Sequence, residues 1–129
     1  MSFKLLLYAP EGLPNHNLDS WPELLRREIP EIEVYVASSK GEAIESIEYV
    51  DAAFGNIDTE IFRHARKLKW ISCPQAGPPA GWYHDNLAKS DVLVTNTRDI
   101  YNDHISTHIF SFILMFARGL NRYFPHQAN

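Results

Sequence analysis

The sequence predicts an α/β domain built on a mainly parallel sheet of about five strands, followed by one long C-terminal helix. Two observations carry this expectation. Five short apolar runs alternate with segments whose apolar residues recur at helical spacing, the pattern of strands joined by crossover helices. The last quarter of the chain then carries apolar residues through several turns with hardly a break.

The elements follow in order. FKLLLYA (Phe3 to Ala9) is the first strand, stopped by Pro10 and Gly12. Leu18 to Ile29 reads as a helix, with Trp21, Leu24, Leu25 and Ile29 at helical spacing, Ser20 able to cap and Pro22 suited to a first turn. Pro30 ends it. EVYVA (Glu33 to Ala37) is the second strand, and Ser39 to Ile47 the second helix. VDAAFG (Val50 to Gly55) is the third strand. Asp58 caps the helix TEIFRHARKL, whose Arg63, Arg66 and Lys67 suit a helix C-terminus. WISC (Trp70 to Cys73) is the fourth strand, PQAGPPAG a loop, and DVLVTN (Asp91 to Asn96) the fifth strand. Five strands with crossover helices make a flavodoxin-like pattern. The final helix runs from Ile100 to about Tyr123.

Bulk properties narrow the function classes. A chain of 129 residues, 45% hydrophobic and 22% charged, suits one globular domain with a single core. A formal net charge of −4 gives no basic face for nucleic acid. The opening MSFKLLLYAPEG lacks a small-residue cleavage site, and no apolar stretch nears the roughly 18 residues that span a bilayer. The one cysteine, Cys73, cannot form an internal disulfide. The expectation is a cytoplasmic protein with no nucleic-acid or membrane partner.

The last helix is physically the most informative segment. IFSFILMFA (Ile109 to Ala117) has Ser111 as its one polar member. Ile105, Ile109, Phe112, Ile113, Phe116 and Leu120 form one stripe, yet Phe110, Leu114 and Ala117 lie on other faces. A helix apolar nearly all round must be buried nearly all round, and one small sheet covers only one side. A second domain or a second subunit is expected to cover the rest, with a homodimer through residues 100–123 as the simplest arrangement.

Three sets of residues stand out as candidate chemistry. The loop Gln75-Ala76-Gly77 follows a strand end, where ligands bind in open α/β sheets; the plain reading is a rigid turn, stiffened by Pro78 and Pro79, which have no N–H. Gly55-Asn56 ends the third strand at the same edge, and a glycine-assisted turn with Asn56 bonding local backbone stays open there. His104 and His108 stand four apart beside Asp103, a spacing that can bind metal, but a third ligand and a general base are missing, and solvation or packing explains them better. Nothing couples Cys73 to His64 or His84, and a cysteine ending a core strand is ordinarily buried packing.

The ordered succession LKWISCPQAGPP (Leu68 to Pro79), VLVTNTRDI (Val92 to Ile100) and ISTHIFSFILMFARGL (Ile105 to Leu120) resembles the D-isomer-specific 2-hydroxyacid dehydrogenases. In that family a strand leads into a loop of the form AGVD, another into NTPG, and a hinge helix carries VAEH and then a leucine-rich stretch ending AR. The likeness covers the second half of the chain by motif and the first half by its strand–helix pattern. Pro78 and Pro79 replace the family's Val-Asp, and Ser106 and Thr107 its Ala-Glu.

The resemblance implies a flavodoxin-like substrate-side lobe over residues 1–99 and an interdomain and dimerisation hinge helix over 100–129. It implies that Gly55, Asn56, Gln75, Ala76 and Gly77 face a small 2-keto or 2-hydroxy acid, with the loop N–H groups on its carboxylate. Tyr101, Asn102 and Ile105 would lie beside the nicotinamide; simply starting a helix is the other reading. The intact enzyme would use NAD or NADP. No GxGxxG occurs in this chain, and the family's catalytic arginine, glutamate and histidine lie further along, so the Rossmann domain is expected to be absent, no catalytic residue is assigned, and neither bound cofactor nor activity is expected of these residues alone. The rival is a stand-alone flavodoxin-like binding or signalling module. A phospho-receiver would need an acidic pair after strand one, an aspartate ending strand three and a lysine ending strand five, where this chain has Tyr8-Ala9-Pro10, Gly55 and Asn96. A flavin carrier would need a Ser/Thr-rich phosphate loop, and APEGLPN is not one.

Overall fold

The structure, a computed structural model, describes residues 2–8, 18–123 and 126–127. The chain divides into two compact units, Met1–Thr97 and Arg98–Asn129. In the first, β1 (Phe3–Tyr8), α1 (Trp21–Glu28), β2 (Ile32–Ala37), α2 (Lys40–Ile47), β3 (Ala52–Gly55), α3 (Thr59–Arg63), β4 (Trp70–Cys73), α4 (Asp85–Ala88) and β5 (Leu93–Asn96) alternate along the chain. The five strands form one parallel sheet in the order β2-β1-β3-β4-β5. That is the flavodoxin-like order expected of crossover connections that start on one side of β1 and then wind to the other.

Alternation along the strands builds two cores. Leu6, Tyr8, Ala53, Ile71 and Cys73 point to the face covered by Ala43 and Ile47 of α2, Ile61 of α3 and Leu87 of α4. Leu5, Leu7 and Ala52 point the other way, where Leu18, Leu25 and Phe54 join them and Trp21 of α1 sits with its ring centroid 5.0 Å from that of Phe54. Because β1 lies between two strands and under helices on both faces, Leu5 to Tyr8 are all buried. Each such leucine contributes roughly 1.5–3 kcal/mol of burial.

Several boundaries differ from the expected ones, for local reasons. The first helix starts at Trp21 rather than Leu18, because Leu18 is buried in the second core; Ser20 takes the N-cap place without a side-chain bond, and Pro22 does fall in the first turn. The third strand starts at Ala52, since Asp51 turns the chain: its N–H donates to the Lys4 carbonyl at 2.9 Å and its carbonyl accepts from Lys69 at 2.8 Å. The α3 helix ends at Arg63, where His64 and Ala65 donate to carbonyls only three residues back and tighten the last turn. The fifth strand starts at Leu93, after a turn in which Ser90 Oγ accepts from Val92 N. The stretch 9–17, read above as the end of the first strand and as no phosphate loop, lies outside the described residues.

The second unit, by itself, is α5 (Asn102–Ala117) and a 3-10 turn (Leu120–Arg122). The long helix is therefore shorter than the expected Ile100 to Tyr123. It stops because Gly119 takes φ 67°, with Gly119 N donating to Phe116 O and Arg118 N to Leu114 O, a glycine-closed helix end. No residue of α5 is buried, and Ile105, Ile109, Phe110, Phe112, Ile113, Leu114 and Phe116 are all exposed. Among the described residues no helix is long and apolar enough to cross a membrane.

Gly55 has φ 131°, and a Cβ there would lie 1.8 Å from the Tyr8 carbonyl oxygen, whereas a Cβ at Gly77 meets nothing within 4 Å. Backbone strain and overlap together make Gly55→Ala cost about 3 kcal/mol or more, while Gly77→Ala stays within about 0.5 kcal/mol. Urea unfolding of the two variants side by side measures both; equal losses would mean that β3 does not approach β1 this closely.

Candidate functional site

The C-terminal ends of the parallel strands gather Tyr8, Gly55 with Asn56, Cys73 with the loop Pro74–Gly77, and Asn96 with Thr97 along one edge of the sheet. The end of β5 shapes the β4 loop. Thr97 Oγ1 donates to the Pro74 carbonyl at 3.0 Å, and Asn96 Nδ2 donates to the Ala76 carbonyl at 2.7 Å. These bonds occupy two of the loop's carbonyl acceptors. Among the described residues, the N–H groups of Gln75, Ala76 and Gly77 have no hydrogen-bond partner. Three successive free donors on a loop pinned by its carbonyls are suited to a carboxylate, since oriented backbone N–H groups supply partial positive charge without a side chain.

Gly55 and Asn56 lie at the end of β3, the strand beside β4. Asn56 is exposed and makes no side-chain bond to the local backbone, so the turn rests on Gly55's backbone freedom alone. Beyond it a cleft of about 240 Å³ opens, with Asn56, Asp58 and Thr59 on the β3–α3 side and Pro79, Gly81, Trp82 and His84 on the β4–α4 side. Trp82 is only 5% exposed, and its indole N–H has no partner. A buried unpaired donor of this kind costs about 1–3 kcal/mol.

The sequence reading missed α4 and with it this wall. The helix is four residues long, and its cap is His84, whose Nδ1 accepts from Leu87 N at 3.2 Å. Histidine is not among the favoured capping residues. The other ring nitrogen lies 3.4 Å from the Ile57 carbonyl, so a proton on Nε2 satisfies both contacts. Phe62 meets the His84 ring edge-on at 5.2 Å. The signal available in the sequence was Asp85-Asn86-Leu87-Ala88-Lys89, an acidic start and basic end around one buried leucine.

An ion cluster braces the cleft from behind. Lys40 Nζ lies 2.7 Å from Asp58 and 2.5 Å from Glu60, joining the first turns of α2 and α3. Asp58 Oδ1 also accepts from Glu60 N and Ile61 N, capping α3 as expected. The hydrogen bond to Asp58, then that to Glu60, holds the Lys40 ammonium far above its ordinary range. Burial pushes the Asp58 carboxyl up, but Lys40 and the α3 amides outweigh it and leave the net pKa lowered. Burial, and then the Asp58 charge, raises the Tyr8 phenol. A larger hollow, about 520 Å³, lies at the opposite edge of the sheet among Lys4, Asp51, Lys67 and Lys69. It is distant from the strand ends that carry the free N–H groups, and Asp51 already pairs with Lys69 at 3.2 Å and accepts from Lys4 N.

Cys73 is buried, with Sγ 3.9 Å from Gln75 Oε1, and bonds to no histidine. In the second unit, Tyr101 stands at the N-cap of α5 without a capping side-chain bond, Asn102 Nδ2 donates to Asp99 Oδ1 at 2.9 Å, and Ile105 is exposed. His108 packs edge-on against Phe112 at 4.7 Å. Among the described residues no three His, Cys, Asp or Glu side chains are grouped to hold a metal ion.

A crystal structure of a D-isomer specific 2-hydroxyacid dehydrogenase family protein from Aeromonas salmonicida subsp. salmonicida superposes with a TM-score of 0.74 at 22% identity. The match covers 98% of this chain and 40% of that one, so this chain spans well under half the length of its structural neighbour. At that identity the likeness establishes the fold. No family model matches the sequence, and no curated protein matches it.

The lowered pKa of Asp58 has a consequence for stability. A carboxyl whose folded pKa lies below its unfolded value stabilises the fold above the ordinary carboxylate range, and that contribution is lost as pH falls through the folded value. Unfolding free energy should therefore fall as pH drops below about 4, and Asp58→Asn, which keeps the cap acceptor but not the charge, should flatten that fall. Denaturant melts from pH 3 to 7 check it; an unchanged pH profile in the variant would remove Asp58 from the account.

Proposed function

We propose that this chain forms the substrate-side lobe of a nicotinamide-dependent oxidoreductase that interconverts a 2-keto acid and a D-2-hydroxy acid. One observation carries the reading: three free N–H groups at Gln75, Ala76 and Gly77, at the carboxyl end of a parallel strand, in the fold of a D-2-hydroxyacid dehydrogenase family protein. In this reading the loop holds the acid's carboxylate, Gly55 and Asn56 form the facing wall, and Tyr101, Asn102 and Ile105 border the nicotinamide. A free buried thiol at Cys73 suits a reducing cytoplasm. A signalling role is weaker, because Gly55 and Asn96 stand where a phospho-receiver needs an aspartate and a lysine.

The residues present supply no pyrophosphate site and so do not by themselves hold a whole dinucleotide. There is no glycine-rich turn for a pyrophosphate, and the Asn102 amide is already engaged by Asp99. NAD or NADP would thus be bound by a separate domain of the intact enzyme, and the work of these residues is to bind and orient the acid. The 129-residue chain alone should neither take up NADH at micromolar concentration nor reduce glyoxylate. Calorimetric titration tests the first point, and micromolar binding would overturn this division of labour.

Two copies of the chain are further proposed to pair through α5. Phe110, Phe112, Leu114 and Phe116 are exposed, and covering each is worth roughly 1.5–3 kcal/mol. The helix's hydroxyls are satisfied from within: Ser106 Oγ donates to Asn102 O, Thr107 Oγ1 to Asp103 O at 2.6 Å and Ser111 Oγ to His108 O at 2.7 Å. Burying them therefore orphans no polar group. Sedimentation at micromolar concentration should show a dimer that Phe112→Asp with Phe116→Asp converts to monomer; a monomeric parent chain would refute the pairing.

A further inference from the structure

We infer that the sheet of the first unit receives the α5 helix of a second copy of this chain, seated on Trp70 and Leu93 by the Phe110–Leu114 side of that helix. The inference rests on the proposed pairing of two copies through α5, and adds the place on the partner where the helix lies.

The sheet is covered unequally. A parallel sheet of this kind carries helices on both faces. Here α2, α3 and α4 cover the face of the first core, while α1 alone lies on the other, beside β2, with Trp21 against Phe54. The register shows what this leaves open. Ala52 pairs with Trp70 and Trp70 with Leu93, while Phe54 pairs with Ser72 and Ser72 with Thr95. Ala52 and Phe54 belong to the second core, so these four side chains of β4 and β5 share its face. Trp70 Nε1 donates to Thr95 Oγ1 at 2.9 Å, and the four carry no charge. Leu93 is 61% exposed, and among the described residues no helix of the first unit buries it or Trp70.

Helix α5 has the matching surface. Asn102–Ala117 carries one carboxylate, Asp103 in its first turn, no lysine or arginine, and no buried residue. Phe110, Leu114 and Ala117 form a strip roughly 120° around the helix from Ile105, Ile109, Phe112, Ile113 and Phe116. Two strips serve two contacts: the broader one meets the partner's α5, and the narrower one the partner's sheet. Sixteen residues rise about 24 Å, enough to cross two strands about 5 Å apart. Uncharged apolar groups then meet on both sides, so no ion is stripped of water. Each copy gives a helix and receives one, which closes the pair about a two-fold axis. Aromatic side chains offer about 150–250 Å² each, so the helix pair and two sheet contacts together reach the scale of about 1,200–2,000 Å² that stable interfaces cover.

The test mixes 13C-labelled and unlabelled copies of the 129-residue chain and reads the NOEs that cross between copies. Phe110 and Leu114 of one copy are expected to show them to Trp70 and Leu93 of the other. Leu93→Asp, at an exposed position outside α5, should raise the dimer dissociation constant at least ~10-fold, as should Leu114→Asp, with circular dichroism unchanged in both. Leu93→Ala and Leu114→Ala should each weaken the dimer, and together no more than the stronger of the two, because both remove one contact. A dimer whose NOEs between copies join α5 only to α5, with Leu93→Asp as tight as the parent, would overturn the sheet contact and leave the pairing standing. NOEs from α5 to Trp70 and Leu93 found only within a single copy would overturn the exchange. A chain that stays monomeric at micromolar concentration would overturn the pairing and this inference together.

Discussion

Everything at the candidate site depends on how closely β3 can approach β1. The register sets Tyr8 opposite Gly55, and at that pair the backbone of β3 comes so near the Tyr8 carbonyl that no Cβ fits between them. The missing side chain lets the chain leave β3 sharply and present Asn56 to solvent instead of continuing the ladder. At the other end, β3 is held by Asp51, whose N–H and carbonyl join Lys4 and Lys69 and whose carboxylate accepts from Lys4 N. A four-residue strand tied at both ends is a rigid reference against which the β4 loop is placed.

The β4 loop is then ordered from the β5 side. Asn96 and Thr97 reach back with side chains to carbonyls of Pro74 and Ala76, so the loop's conformation is set by acceptors and its donors remain free. Proline at 78 and 79 removes two further donors and narrows the loop's conformational freedom, which lowers the entropy lost when an anion is held. The Lys40 cluster plays the corresponding part for the β3–α3 turn. It fixes Asp58, and Asp58 fixes the first turn of α3, which carries Thr59 into the cleft wall.

How much of this was legible in the sequence follows from how local each signal is. The strands were readable because Leu5 to Tyr8, Ala52 to Gly55 and Ile71 to Cys73 are apolar runs too short for helices, and β4 has the very bounds expected. The β3 and β4 loops were legible as strand-end segments, Gly55 by its residue type. What was not legible depended on distant partners. α4 depends on a histidine cap, and the wall at Trp82 on the approach of residues some 25 positions earlier in the chain. The bonds from Asn96 and Thr97 join residues 20 and 23 positions apart, and no periodicity or composition announces them.

The two units differ in how they satisfy the same requirement. In the first, apolar side chains are sorted by strand alternation onto two faces, and polar groups are driven to the strand ends, where they bond across loops. In α5 there is no sorting: apolar residues occupy every face, and the few hydroxyls turn inward onto the helix's own carbonyls. A helix so arranged has no preferred solvent side, and its exposed phenylalanines raise the free energy of any state in which water surrounds it. The polar cost of covering its hydroxyls is small, because Ser106, Thr107 and Ser111 already donate to carbonyls of the helix. A helix apolar on every face therefore lowers its free energy by contact on more than one side, whatever supplies the contact.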